Sequence, residues 1–274
     1  MKLPNLFLSA LTALTATAAG SAAMAQTVPH SDIADHPTIA LVHGAWGTSA
    51  VWQRVEARLR ADGYKVISVN LPGRTGSPAS PASLTLDTYR DTVMAAIQAE
   101  TRPVVLVGHS FGGITISAVA EAAPDRIRTL VYVAAFIPQD GQSLLGMAHD
   151  DTGSMIGADL RPEPEAGLIR VEPVHGVTVF VNDGSPEQQA ALSKSLVAEP
   201  LPPLTMPVRL TAARFGTVDR AYIKTLRDQA VSPAFQDAMI AANPVRETLS
   251  LDTGHAPFLT DPDALAAAII QAID

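Results

Sequence analysis

The sequence predicts an α/β fold in which helices cover both faces of a mostly parallel sheet. Short runs rich in Val, Ile and Leu alternate with segments of helical period along most of the chain, the pattern typical of strands joined by crossover helices. Residues 104–107 are Val and Leu alone, as expected for a strand buried on both faces. With 274 residues, 47% of them hydrophobic, the chain can bury one large core.

The first half of the chain contains four predicted strands and three predicted helices. Apolar runs bounded by glycine, proline or polar residues predict strands at residues 38–44, 64–73, 103–110 and 127–135. Apolar residues at helical spacing predict helices at residues 49–63, 84–100 and 112–124. Gly63 is the expected end of the first helix, since glycine commonly follows a helix terminus.

The alternation stops between about Pro138 and Thr217, in a segment rich in proline. Here the sequence predicts a hairpin around residues 175–184 and a helix at 185–196, which Ser185 caps. So many residues without regular period do not form an ordinary connection. We therefore expect a small lid inserted over the sheet rather than an independent domain.

Strands and helices resume after this segment. Two further strands are predicted at residues 220–226 and 246–252, and two helices at about 233–242 and 261–272. The alternation thus returns to the order that predicts a parallel sheet, and no internal repeat is found.

The first 25 residues have the composition of a secretory signal. Lys2 precedes a long uncharged run that ends in the small residues Ala23 and Ala25, so cleavage is expected before Gln26. A membrane anchor or a plain helix is the alternative. Residues 26–274 then form the mature, exported domain, periplasmic or secreted, and no later run has the apolar length that spans a membrane. The sequence leaves the oligomeric state open.

Composition excludes several classes of function. The chain has no cysteine and a formal net charge of −8, so thiolate chemistry is excluded and nucleic acid is not an expected partner. No group of His, Asp and Glu has metal-ligand spacing, and no phosphate loop or dinucleotide fingerprint occurs. The sequence therefore predicts no metal and no cofactor.

The stretch LVGHSFGG, residues 106–113, surrounds Ser110 with glycines. The pattern G-x-S-x-G at a strand-to-helix turn raises a serine out of the sheet as a nucleophile. Here an apolar run precedes the motif and a helical segment follows it. We therefore predict that Ser110 is a catalytic nucleophile.

A serine nucleophile needs a base and a group that orients the base. His255 follows the last predicted strand and Asp228 follows the one before it, so both belong to the sheet edge that carries Ser110. Asp252 is a rival for the acid, although it more readily caps its own turn. Asp219 precedes its strand and belongs to the opposite edge.

The end of the first strand, in LVHGAWG, can supply backbone donors to the same site. The amides of Ala45 and of Phe111, the residue after Ser110, are the predicted oxyanion donors. Gly44 and Trp46 are expected to border the substrate pocket. His43 and His109 fit better as supports of the loop and of the serine turn than as catalytic groups.

With these residues in place, the chain resembles the α/β hydrolases, and within them the branch of esterases and hydroxynitrile lyases that includes plant methylesterases and many bacterial esterases. The resemblance covers about residues 37–272. It is carried, in this order, by LVHGAWGTSAVW, VVLVGHSFGG, LVYVAAFIP, VFVNDGSPEQQAALSKSL, YIKTLRDQAVSPAFQDAMI and LDTGHAPFLTDPDAL. It implies the α/β-hydrolase fold with a lid at about 138–217.

The same resemblance implies a triad of Ser110, Asp228 and His255, with Ala45 and Phe111 as oxyanion donors. The lyases of this branch carry a threonine where Gly44 stands and a lysine where Ala256 stands. Their absence disfavours a lyase. Epoxide hydrolases and haloalkane dehalogenases of the same fold place aspartate at the position of Ser110.

The expected function is hydrolysis of small to medium, mostly apolar carboxylic esters through an acyl-enzyme. The alternatives are a ligand-binding protein that retains the triad, a hydroxynitrile lyase, and an acyl-transfer enzyme that acts on amides or lactones or forms peracids from peroxide. The partner of this chain is then a small-molecule ester. Its identity does not follow from the sequence.

Overall fold

A computed structural model of the protein describes residues 36–74 and 79–274. The predicted signal at residues 1–25 and the cleavage before Gln26 lie outside the described residues. The strands are β1 (Ile39–Val42), β2 (Val66–Val69), β3 (Val104–His109), β4 (Ile127–Val133), β5 (Leu160–Glu163), β6 (Leu168–Val171), β7 (Glu199–Pro200), β8 (Asp219–Thr225) and β9 (Glu247–Leu251). The helices are α1 (Gln53–Ala61), α2 (Leu86–Ala96), α3 (Gly112–Ala122), α4 (Leu144–Asp150), α5 (Pro173–Phe180), α6 (Pro186–Ser195), α7 (Leu201–Thr205), α8 (Pro233–Ala242), α9 (Pro257–Thr260) and α10 (Pro262–Ile273).

Six of the described strands form one sheet in the order β2-β1-β3-β4-β8-β9. Every adjacent pair in it is parallel, which confirms the predicted fold class. The register aligns Val42 of β1 with Gly108 of β3, and Val133 of β4 with Ile223 of β8. The carboxyl ends of these strands therefore lie at one edge, where ligands bind in open α/β sheets.

Helices cover this sheet, and its central strand is buried along its whole length. Helix α1 packs on α10, and α2 packs on α3. The helix predicted at residues 49–63 is divided into a 3₁₀ turn, Ser49–Trp52, and the α-helix α1. Gly63 follows α1 with φ +90, a conformation that glycine adopts without the steric cost of a Cβ.

The segment between β4 and β8, the lid, contains a separate small antiparallel sheet in the order β5-β6-β7. Strands β5 and β6 form a hairpin that turns at Gly167, whose φ is +65. The lid also contributes α4, α5, α6 and α7. Helix α6 begins as predicted, because the Ser185 hydroxyl and the Gln188 side chain form a reciprocal capping box.

The prediction of a hairpin around residues 175–184 is wrong, because most of this segment belongs to helix α5. Glu172 caps the helix by accepting from the Val174 amide, and Pro173 occupies the first helical position. Val177 and Phe180 of the same helix are buried. Burial of one helical face thus outweighs the preference of β-branched residues for strands.

Among residues 36–74 and 79–274, no helix is long and apolar enough to cross a membrane.

Candidate active site

Ser110 lies in a strained turn between β3 and α3. Its φ is +53, in the left-handed region that non-glycine residues rarely occupy. Three backbone hydrogen bonds hold this conformation: the Ser110 amide donates to the Val133 carbonyl at 3.2 Å, and the Ser110 carbonyl accepts from the amides of Gly113 and Phe136 at 3.0 and 3.2 Å. The serine therefore occupies the corner of a strand-to-helix turn of the kind that presents a nucleophile.

The glycines around Ser110 permit close backbone contact. A Cβ on Gly108 would lie 2.7 Å from the Gly112 carbonyl oxygen, and a Cβ on Gly112 would lie 2.6 Å from the Val42 carbonyl oxygen. Both distances are below those that real Cβ atoms allow. These glycines thus let α3 begin directly against β1 and β3.

His255 and Asp228 form a buried pair. The distance from His255 Nδ1 to Asp228 Oδ2 is 2.8 Å, and the exposed fractions of the two side chains are 4% and 0%. The other carboxylate oxygen, Oδ1, accepts from the amides of Ala230 and Val231 at 2.8 and 2.9 Å. The Thr225 hydroxyl donates to Oδ2 at 2.8 Å. These bonds fix the carboxylate, which in turn fixes the imidazole.

The rival carboxylates are placed elsewhere. Asp252 is 78% exposed and pairs with Arg227 at 3.1 Å. Asp219 starts β8 and pairs with Arg246 at 3.2 Å, at the edge of the sheet opposite Ser110. Asp228 is thus the carboxylate that the structure brings to His255.

Ser110 and His255 border one and the same cavity. The loop that follows β1, residues 43–47, forms one wall and includes Gly44, Ala45 and Trp46. The remaining walls are mostly apolar and contain no Lys or Arg; they consist of Val51, His109, Phe180, Leu192, Ser195, Leu196, Ala256 and Phe258. The sequence-predicted residues therefore converge on one apolar site.

The two predicted oxyanion donors come from the loop that follows β1 and from the residue after Ser110. Ala45 borders the cavity, and Phe111 directly precedes the first residue of α3. Among the described residues, neither backbone amide donates to a protein acceptor. Amides at the start of a helix carry partial positive charge and suit an anionic oxygen.

Gly44 brings the β1 loop against the nucleophile. A Cβ at this position would lie 2.8 Å from Ser110 Cβ and 2.9 Å from His109 Nδ1. A threonine, as in the lyases, therefore has no room here without a shift of the loop. Ala256, at the position of the lyases' lysine, is buried beside His255 and borders the cavity.

His43 and His109 support the site rather than react in it. His43 Nε2 accepts from the Leu71 amide at 3.1 Å, so Nδ1 carries the proton and donates to the Gly44 carbonyl at 2.8 Å. Burial, with a smaller effect of Arg74, lowers the pKa of His43 to about 3. His109 Nε2 lies 2.8 Å from the His255 carbonyl oxygen, and burial lowers the pKa of His109 well below its usual value.

A buried ion pair below the β1 loop was not predicted from the sequence. Arg74 and Glu199 lie 2.8 Å apart, with side chains 2% and 0% exposed. Glu199 also accepts from the Tyr89 hydroxyl at 2.8 Å and from the Trp46 amide at 2.9 Å. Single charged residues far apart in a sequence are ordinarily surface residues, so the sequence offered no signal for this pair.

Within residues 36–74 and 79–274, no three His, Asp or Glu side chains are arranged to hold a metal ion.

Known proteins match this chain in sequence and in fold. The protein-family model described as the alpha/beta hydrolase family matches residues 39–268. The chain belongs to the alpha/beta hydrolase family.

Named relatives of this alpha/beta hydrolase are plant esterases. Methylesterase 17 of Arabidopsis thaliana is 27% identical over 259 residues, which are 86% of this chain and 91% of that protein. Methylesterase 7 of the same plant is 29% identical over 251 residues, 85% of this chain and 94% of that protein. Three proteins of the plant named putative methylesterases 12, 13 and 14, chloroplastic, are matched over 55 to 70% of their length.

Among solved structures, the chain is similar to an extracellular alpha/beta-hydrolase from a Paenibacillus species, described as sharing structural and functional homology with tobacco salicylic acid binding protein 2. The two are 26% identical with a TM-score of 0.77, over 86% of this chain and 99% of that one. These relatives support carboxylic ester hydrolysis and disfavour the lyase alternative.

Proposed function

We propose that the protein is a serine esterase that forms an acyl-enzyme on Ser110. The Ser110 oxygen attacks the ester carbonyl while His255 Nε2 takes the hydroxyl proton. Asp228 holds the imidazole in the tautomer that leaves Nε2 free to accept, and it stabilises the imidazolium that forms. The amides of Ala45 and Phe111 donate to the oxyanion.

The second half of the reaction reverses these roles. Collapse of the tetrahedral intermediate breaks the bond to the alcohol, which leaves with the proton from His255. Water then loses a proton to His255 and attacks the acyl-enzyme, and the acid is released as Ser110 recovers its proton. No metal or cofactor takes part in this scheme.

One observation carries the proposal: Ser110, in a left-handed turn, borders the same cavity as a histidine whose Nδ1 lies 2.8 Å from a buried carboxylate. Structural serines and histidines do not require this combination of backbone strain and a buried acid.

The walls of the cavity indicate the substrate class. They are mainly aliphatic and aromatic and lack a cationic side chain, so they suit an uncharged ester with a compact apolar acyl group. The relatives are named methylesterases, which favours a small alcohol such as methanol. We propose methyl and other short alkyl esters of small to medium apolar acids as substrates.

The test compares Ser110→Ala with Ser195→Ala on p-nitrophenyl esters from acetate to decanoate. Both serines border the cavity, but only Ser110 follows the strand end. Ser110→Ala is expected to lose roughly 10⁴-fold or more of kcat, whereas Ser195→Ala keeps near wild-type turnover. Hydrolysis by Ser110→Ala at the wild-type rate would refute the assignment, and turnover of long-chain esters alone would refute the substrate class.

Steady turnover also decides between an enzyme and a binding protein. A receptor that retains the triad would bind esters and release at most one equivalent of p-nitrophenol. An esterase continues over many turnovers.

The chain is also proposed to be exported, with residues 1–25 removed, to the periplasm or the medium. The uncharged run after Lys2 and the small residues Ala23 and Ala25 support this. N-terminal sequencing of the mature protein tests it, with Gln26 as the expected first residue.

A further inference from the structure

The β1 loop is held at the two residues that follow Ala45, the residue proposed as oxyanion donor. The Trp46 amide donates to Glu199 Oε2 at 2.9 Å. Arg74 Nε donates to the Gly47 carbonyl at 2.9 Å. Trp46 has φ +57, an unfavourable conformation for a bulky residue that persists only where its surroundings determine it. The loop conformation thus depends on these two charged side chains.

The charged and polar side chains below the loop contact one another. Glu199 uses Oε1 for the Tyr89 hydroxyl and Oε2 for Arg74 and the Trp46 amide. Arg74 also donates to the Tyr89 oxygen at 3.1 Å. Burial alone lowers the pKa of Arg74, but Glu199 and Tyr89 raise it above its usual value. Arg74 therefore remains a cation. Burial raises the pKa of Glu199, and the charge of Arg74 together with the hydrogen bonds from Trp46 and Tyr89 offsets part of that rise.

Glu199 comes from the lid and not from the sheet. It lies in β7, two residues after Val197, whose amide donates to the Trp46 carbonyl at 3.0 Å. The Trp46 indole Nε1 donates to the carbonyl of Ile169 in β6 at 3.1 Å. The lid thus binds the Trp46 amide, carbonyl and side chain, and it sets the geometry of the loop as well as covering the cavity.

We propose that Glu199 is a positioning residue for ester hydrolysis: together with Arg74 and Tyr89 it holds the β1 loop so that the Ala45 amide meets the oxyanion. The inference rests on the proposed function of Ser110. Because the loop contact matters when the oxyanion forms, loss of Glu199 affects the transition state more than ground-state binding.

The test uses Glu199→Gln, which retains one acceptor oxygen and cannot serve both the Trp46 amide and the Tyr89 hydroxyl. A p-nitrophenol burst titrates active sites, so kcat is measured per competent site. We expect kcat to fall roughly 10²-fold, with KM changed less than threefold and with the acid limb of the kcat–pH profile unchanged. A trifluoromethyl ketone, which adds to serine and bears an oxyanion, is expected to lose affinity by a similar factor.

Tyr89→Phe is the matched variant, since it removes the bond to Oε1 and leaves Oε2 on the loop. A smaller loss of kcat is expected for it. A merely structural role would reduce the titratable fraction in Glu199→Gln but leave the kcat per site and the ketone affinity at wild-type values, and this result would overturn the proposal. Ser110→Ala judges the esterase assignment separately, so the two failures are distinguishable.

The double variant Arg74→Met with Glu199→Leu covers the case in which Glu199→Gln does not fold. Apolar residues of similar size often replace a buried ion pair without loss of stability. Lowered kcat per site in the folded double variant supports the proposal, whereas wild-type kcat shows that the loop is positioned without the charges and overturns it.

Discussion

Asp228→Asn is expected to keep the fold and to present the wrong group to His255. Asp228 Oδ1 accepts from the amides of Ala230 and Val231, so the asparagine oxygen must take this position. The NH₂ group then replaces Oδ2, which lies 2.8 Å from His255 Nδ1. Since NH₂ can only donate, Nδ1 becomes the acceptor and the proton moves to Nε2. His255 then cannot take the proton of Ser110.

The expected cost is a fall in kcat of roughly 10³- to 10⁴-fold, the size of effect known when the acid of a serine triad is replaced by its amide. This corresponds to about 4 to 5.5 kcal/mol of transition-state stabilisation. Hydrolysis of p-nitrophenyl acetate measures it, with thermal unfolding as the check on the fold.

Asp252→Asn is the control, because Asp252 is the other carboxylate close to His255 in sequence and its side chain is 78% exposed. It is expected to change kcat less than twofold. A loss below tenfold in folded Asp228→Asn, or an equal loss in the control, would refute the assigned role of Asp228.

Two further predictions concern the β1 loop. Gly44→Ala places a Cβ 2.8 Å from Ser110 Cβ, so kcat on p-nitrophenyl acetate is expected to fall at least tenfold. Gly47→Ala is the control, because the atom nearest to its Cβ is 3.6 Å away. Near wild-type kcat in Gly47→Ala, with a loss in Gly44→Ala, confirms the steric cause. His43 has a folded pKa of about 3 against an ordinary 6.5, so below pH 6.5 the unfolded chain binds the extra proton and stability falls as the pH falls. Between pH 6.5 and pH 5, His43 alone removes about 2 kcal/mol of the free energy of unfolding. Urea unfolding at both pH values should show that His43→Gln loses less stability over this range than the wild-type protein. An equal loss of stability in both proteins would contradict the reasoning.

The parts of the fold that the sequence predicts are those decided by local pattern. The strands of the large sheet are continuous apolar runs because helices cover both of their faces. The serine turn is recognisable because close backbone contact within a few residues requires its glycines. A Cβ on Gly108, for example, would lie 2.7 Å from the Gly112 carbonyl oxygen. His255 and Asp228 follow from topology, since the ends of parallel strands share one edge.

Local pattern fails where burial depends on distant partners. The segment that forms α5 is rich in valine, which favours a strand. The signals for a helix are its cap, Glu172, and its first residue, Pro173. Arg74 and Glu199 are 125 residues apart, and each resembles a surface charge when considered alone. No periodicity in the chain reveals that they are buried together.

The Arg74–Glu199 pair explains why the lid and the β1 loop cannot be treated as separate parts. A lid without a carboxylate at position 199 would leave Arg74 buried and unpaired, which costs about 3 to 5 kcal/mol, a large share of the stability of an ordinary domain. It would also release the Trp46 amide, which Glu199 binds at 2.9 Å. Replacing the lid is the obvious route to a new substrate range. Such a replacement therefore changes the β1 loop unless Glu199 and its three contacts are retained.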